Sequence, residues 1–89
     1  MAKSILYEPI ANKYILIKII SHDNVCELHF KVKFLTKMKK LKKTYCDRLG
    51  VSESSISLFY NGTLIKDEDT PETLQMKNVD VISVYQEVL

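Results

Sequence analysis

The 89-residue chain contains two glycines, Gly50 and Gly62, and none follows Gly62. Its two cysteines, Cys26 and Cys46, stand far apart and lack the Cys-x-x-Cys or histidine spacing of a zinc site. No export signal accompanies them, because Glu8, Pro9 and Asn12 interrupt the stretch from Met1 to Lys13 where an apolar core would be needed. Both are read as reduced thiols of a nuclear or cytoplasmic protein. No run approaches the ~20 apolar residues of a membrane span, so a membrane role is not expected. Charge of one sign is not in excess either. Thirteen Lys and Arg face eleven Asp and Glu, a net charge of +2 that by itself does not imply nucleic-acid binding. Repeats, linkers and shifts of composition are missing too. A chain this short buries only about 60–65 % of its unfolded surface, which allows one modest core.

What is present is periodic. Residues 1–13 show no sustained period and are read as a flexible lead-in to a domain spanning 14–89. From Tyr14 to Ile20 the chain is rich in β-branched residues, with Ile15, Ile17 and Ile19 on one face. Ser21-His22-Asp23-Asn24 is a turn cluster. In the next strand Leu28, Phe30 and Val32 alternate with His29, Lys31 and Lys33, so the two strands form a hairpin. The period then becomes helical, with Met38, Leu41, Tyr45 and Leu49 on one stripe and Cys46 beside it. Thr36 is the expected N-cap, and Gly50 suits a left-handed helix end.

Ile56–Tyr60 and Thr63–Ile65 flank Asn61-Gly62, the preferred pair for a type I′ turn, in which both central residues need positive φ. Asp67–Thr70 reads as a polar loop, Pro71–Met76 as a short helical turn, and Asp80–Glu87 as the last strand. This order predicts an α+β fold, with one main helix packed across one face of a small mixed sheet.

Several stretches then carry a more specific likeness. His29-Phe30-Lys31-Val32-Lys33, Lys39-Lys40-Leu41-Lys42-Lys43-Thr44-Tyr45-Cys46 with Arg48 and Gly50-Val51, Asp69-Thr70-Pro71 with Leu74 and Met76, and Asp80–Glu87 together resemble the small ubiquitin-like modifier (SUMO) family. The resemblance implies a ubiquitin-like β-grasp and a non-enzymatic role. It also implies partners that carry SUMO-interacting motifs. The sequence departs from the family in four places. Val25-Cys26 adds a residue to the first hairpin, Ser57 and Leu64 stand where arginines are usual, and Lys77, Asn78 and Val79 replace an acidic run that leaves Asp80. The fourth is the diglycine through which the family is attached to substrates, which is missing before Leu89.

The candidate site is a groove beside the second strand. Lys31, Lys33, Lys37, Lys39, Lys40, Lys42 and Lys43 form a basic cluster, three of them at the start of the helix, where the macrodipole disfavours cations by roughly 0.3–1 kcal/mol each. Either they are a solvated face, or they receive an acidic partner at a cost in helix stability. An edge strand can accept an extended peptide through its unpaired backbone groups. Phe30, Val32 and Leu41 would then line the groove, Tyr45 would close its end, and Lys31, Lys33, Lys40, Thr44 and Arg48 would form its rim. The resemblance makes this the groove for SUMO-interacting motifs. For Phe30, Val32 and Leu41, core packing and groove lining are compatible.

Nothing resembles a catalytic constellation. His22 falls in a turn, His29 on a strand, and Cys46 reads as a small core residue. Asp67, Glu68, Asp69 and Glu72 lack the ligand spacing and central glycine of a calcium loop, so no metal or other cofactor is expected. Ile65-Lys66-Asp67-Glu68 fits the pattern around lysines modified by SUMO conjugating enzymes, which makes Lys66 a possible acceptor. Asp80 is a possible conjugating-enzyme contact.

The expected function is that of a monomeric SUMO-type modifier joined to substrate lysines. If the natural chain continues to a diglycine, it engages SUMO activating and conjugating enzymes and SUMO proteases. If Leu89 is its end, it is a non-covalent binding module or decoy. Nucleic-acid binding through the lysine face is a distant third, because exposed aromatic platforms are missing.

Overall fold

The computed structural model describes residues 13–87. The expected flexible segment lies outside these residues except for Lys13, as do the last two positions. The order is β1 (Tyr14–Ser21), β2 (Glu27–Lys33), α1 (Met38–Leu49), a 3₁₀ turn (Glu53–Ser55), β3 (Ile56–Tyr60), β4 (Thr63–Leu64) and β5 (Asp80–Gln86). The strands form one mixed sheet in the order β2-β1-β5-β3-β4. β1 and β5 run parallel at its centre, and the other pairs are antiparallel.

Alternation decides which side of the sheet is covered. Ile15, Ile17, Ile19, Leu58, Ile82 and Val84 point to one face and are buried. Met38, Leu41, Tyr45 and Cys46 of α1 close over them in a single core. Ile17, Ile19 and Ile82 have no accessible surface, so truncating any of them to alanine is expected to cost about 2–5 kcal/mol. The opposite face has no layer over it among the described residues.

Local signals explain most boundaries. Gly50 ends α1 at φ 69°, and Asn61 and Gly62 turn at φ 52° and 81°. The N-terminus of α1 differs from expectation. Thr36 is not its cap: the N-cap is Lys37, which makes no side-chain capping bond. The first helical amides are instead taken by a distant loop, Met38 N–H donating to the Asp69 carbonyl at 2.7 Å and Lys39 N–H to the Asp67 carbonyl at 3.1 Å. Local sequence cannot announce a cap supplied from about thirty residues away.

The strand read over Thr63–Ile65 ends at Leu64, although Ile65 N–H still donates to the Leu58 carbonyl at 2.8 Å. Pro71–Met76 is a series of hydrogen-bonded turns rather than a helix. Leu74 N–H reaches the Thr70 carbonyl at 3.0 Å, and Gln75 at φ 55° then breaks the winding.

Candidate peptide-binding groove

β2 lies at the sheet edge, so its outward N–H and C=O groups face the space beside α1. That space is a groove of about 330 Å³ lined by Tyr14, Phe30, Lys31, Val32, Lys33, Thr36, Lys40, Leu41 and Thr44. Helical periodicity explains what α1 contributes. Leu41 and Tyr45 sit on the core stripe, whereas Lys40, Thr44 and Arg48, each four residues apart, form the flank turned toward β2. Lys40 and Thr44 line the groove directly. Arg48 places its guanidinium 5.4 Å from the centre of the Phe30 ring, beyond the lining residues.

Seven of the nine expected groove residues are thus brought together with their backbone edge, and Arg48 adjoins them through Phe30. Tyr45 is the exception. It is 2 % exposed, and burial, with a smaller contribution from the nearby Cys26 thiol, raises its phenol above the ordinary value. One turn beyond Leu41, the Tyr45 ring passes under the sheet and borders a separate depression that includes Ser21, His22 and Leu49. Tyr45 supports the fold and does not close the groove.

Two lining residues, Tyr14 and Thr36, are not foreseen from the sequence. Tyr14 pairs with Lys33 across the hairpin and is 48 % exposed. The Lys31 and Lys33 ammonium groups lie 5.3 and 5.9 Å from its ring centre. Such contacts contribute about 0.5–1 kcal/mol at exposed sites and hold the two charges at one end of the groove. The only available signal was an aromatic residue at the first position of β1, which composition does not single out.

The rim is strongly positive. Lys33 and Lys40 make no ion pair within 4 Å among the described residues. Lys37 does, at 2.7 Å from Glu68, and the contact raises the lysine and lowers the carboxylate relative to their ordinary values. The segment read as a polar loop is therefore the cap of α1. Its carbonyls take the helix amides, Glu68 answers Lys37, and Asp69 accepts from Lys66 N–H at 2.8 Å. The same arrangement folds the Lys66 motif, since Ile65 is buried in the core and Glu68 is turned to Lys37.

The remaining chemistry-bearing residues are structural. Cys46 is 1 % exposed, and burial raises its thiol, which keeps it protonated and unreactive. His22 stacks on Tyr85 at 4.3 Å and His29 contacts Glu27 at 2.7 Å. Asp80 accepts from the Tyr60 hydroxyl at 2.5 Å and from Lys77 N–H at 2.7 Å. These bonds hold its carboxyl below the usual range, and the tyrosine bond is the larger cause. Asn78 and Val79 join the loop before β5 to β1: Leu16 N–H donates to Asn78 Oδ1 at 2.7 Å, and Val79 N–H donates to the Leu16 carbonyl at 2.7 Å.

Known proteins place this architecture. The family described as Ubiquitin-2 like Rad60 SUMO-like matches residues 15–86. A small ubiquitin-related modifier from Caenorhabditis elegans is 51 % identical over 77 residues, covering 86 % of this chain and 84 % of that protein. The chain belongs to the SUMO family. By that membership it is a protein modifier in type and not an enzyme. The fold has the same breadth: Caldiarchaeum subterraneum ubiquitin superposes with a TM-score of 0.81 at 19 % identity, over 86 % of this chain and 98 % of that one. At that identity the likeness concerns the β-grasp alone. Within the SUMO family, the groove beside β2 is the feature of this chain with the most developed chemistry.

Proposed function

We propose that the protein is a SUMO-type modifier, joined through its carboxyl end to substrate lysines and read through the groove between β2 and α1. The carrying observation is the meeting of an open strand edge, an apolar floor and an unpaired cationic rim at Lys33 and Lys40. An extended Val/Ile-rich peptide adds a strand to β2 and places its alternate side chains on Phe30, Val32 and Leu41. Acidic or phosphorylated residues flanking that core meet Lys31, Lys33 and Lys40, while Arg48 meets them past Phe30. Its partners are proteins with SUMO-interacting motifs, together with SUMO activating and conjugating enzymes and SUMO proteases. It works as a monomer in the nucleus and cytoplasm.

A second reading, a non-conjugated binding module, is favoured by the altered surface around Ser57 and Leu64. The discriminating experiment is reconstituted conjugation of the chain as given and with a diglycine appended. The modifier reading expects the extended chain to form an ATP-dependent thioester with the SUMO activating enzyme and then an isopeptide bond to substrate. Failure of the extended chain, with peptide binding intact, assigns the adaptor role. In the same assay Lys66→Arg is expected to leave chain-to-chain linkage unchanged, because Ile65 and Glu68 are held in the fold. Loss of most linkages in that variant would refute this account of Lys66.

A further inference from the structure

Tyr45 is the largest side chain enclosed by the core, and the fold leaves its polar end unmatched. Apart from the nearby Cys26 thiol, a weak partner, its hydroxyl meets no hydrogen-bonding group among the described residues. No side-chain polar atom there is sealed away without a partner, so the little surface that Tyr45 keeps lies at this hydroxyl. It forms a polar point in the wall of a depression of about 290 Å³, at the pole where α1 ends and β1 turns toward β2. Leu49, Val51, Ile56 and Val84 supply apolar walls. Ile56 and Val84 belong to the covered side of the sheet, so the depression leads into the layer between sheet and helix. It shares no lining residue with the groove beside β2.

The rim of this depression is negative. Asp23 accepts from the Ser21 hydroxyl at 2.6 Å and from Val25 N–H at 3.0 Å, and these bonds hold its carboxyl below the ordinary range. Gly50 and Val51 N–H both bond the Cys46 carbonyl, which leaves those of Asp47, Arg48 and Leu49 without a main-chain partner among the described residues. They carry the negative end of the helix macrodipole. Glu53 and Asp47 act on the neighbouring Cys46 thiol against one cation, Lys42. Arg48, the basic residue of the last turn, is turned away to Phe30. His22, stacked on Tyr85 at 4.3 Å, adds an aromatic wall.

We propose that this depression seats a tryptophan of a partner protein, its indole N–H donated to the Tyr45 hydroxyl oxygen and a lysine or arginine beside it meeting Asp23 and the last carbonyls of α1. Size sets the class of ligand. The volume is at the small end of ligand pockets and takes one large side chain rather than a cofactor. The hydroxyl then selects among side chains. An aliphatic one would strip the phenol of water and offer no bond in return, whereas an indole fills the apolar walls and satisfies the oxygen. Burial keeps that phenol protonated, so it stays a neutral acceptor. Charge selects the flank: a cation is attracted by the rim and an anion repelled. A single aromatic anchor in a desolvated pocket is where protein interfaces concentrate their binding.

The test is a titration of the isotope-labelled chain, followed by amide shifts, with a capped Gly-Lys-Trp-Lys-Gly peptide. Shifts are expected at Ser21–Asp23, Leu49–Val51 and Val84. A peptide with glutamates in place of the lysines binds about fivefold more weakly at low salt. Tyr45→Phe keeps the ring and lowers affinity for the lysine peptide about fivefold. Methylating the indole nitrogen weakens binding to the unaltered chain by about the same factor, a readout that does not depend on the variant folding. The methylated peptide then binds Tyr45→Phe and the unaltered chain equally, a coupling that a merely structural tyrosine would not show. Leu49→Arg, at an exposed position where a cation suits the helix end, removes most of the binding and leaves a groove-directed Val/Ile peptide unaffected. Absence of shifts at about 2 mM peptide overturns the proposal. So does a shift pattern confined to Phe30–Thr44, equal affinity for the lysine and glutamate peptides, or indifference to the indole methyl group.

Discussion

Reversing Lys33 and Lys40 to glutamate is expected to weaken binding of an acid-flanked peptide while leaving stability nearly unchanged. Both side chains line the groove, both are exposed, and neither is paired within 4 Å among the described residues. Each is free to meet an acid of the bound peptide. An exposed pair contributes about 0.5 kcal/mol, and reversal replaces it with a repulsion of similar size, so two sites sum to about 2 kcal/mol. That is a loss of roughly 30-fold in affinity at low ionic strength. It should shrink to a few-fold at about 0.5 M salt, where screening is effective over only a few ångströms. Stability should not fall with it. Lys40 lies in the first turn of α1, which has no acidic residue, so a glutamate there gains about 0.3–1 kcal/mol from the macrodipole, which offsets the Lys33 contact with the Tyr14 ring that reversal removes. Fluorescence anisotropy with an acid-flanked Val/Ile peptide at two salt concentrations, beside a thermal melt of each protein, reads both quantities. Unchanged affinity at low salt refutes the cationic rim. A loss that persists undiminished in high salt refutes the electrostatic origin assigned to it.

Two further outcomes follow from Asp80 and its surroundings. The Tyr60–Asp80 bond depresses the carboxylate and raises the phenol. Its contribution is therefore full between their ordinary values, lost as the pH falls below about 4 through the depressed carboxyl and lost again as it rises above about 10 through the raised phenol. Partial exposure limits the bond to about 1 kcal/mol, so Tyr60→Phe should lower stability by that amount at neutral pH and by much less at pH 2.5, read by urea melts. An equal loss at both pH values would contradict the pairing. Docking of this chain on a SUMO conjugating enzyme should be roughly tenfold weaker than that of a SUMO carrying arginines and acids at the positions of Ser57, Leu64, Lys77, Asn78 and Val79. Asp80→Asn should add little to that loss, and equal affinity in paired calorimetric titrations would sink the argument.

The sequence made the fold legible wherever a residue's own preference or its period decides the structure. β1 and β2 are readable because Ile15, Ile17, Ile19, Leu28, Phe30 and Val32 alternate, and the register then pairs Ile17 with Phe30 as a hairpin requires. Gly50 and Asn61-Gly62 are readable because few residues tolerate positive φ. What stayed hidden is tertiary. The α1 cap comes from carbonyls of Asp67 and Asp69, and a carbonyl leaves no mark on residue type. The same distance hid the purpose of Glu68. The segment reads from sequence as a solvated polar loop, whereas the fold turns the Asp67 and Asp69 carbonyls onto the start of α1 and Glu68 onto Lys37.

The groove shows where periodicity is too coarse a guide. Leu41 and Tyr45 share a stripe, so a sequence reading carries both into the site, but a residue's place along the stripe decides whether it meets the sheet edge or its interior. Leu41 stands beside Val32 near the edge, and Tyr45, one turn on, is committed to the core. The neighbouring stripe of Lys40, Thr44 and Arg48 is the one that meets the groove. Its charge would destabilise α1 if the helix start had to bear it alone. The loop at 67–69 relieves that strain only at Lys37, which does not line the groove, through Glu68. Lys33 and Lys40 are left without acids of their own. A stability-only design would neutralise the lysine in the first turn of the helix before the one preceding it. The opposite distribution is what a site for an acidic ligand requires, because a cation already paired within the protein has little left to offer a partner.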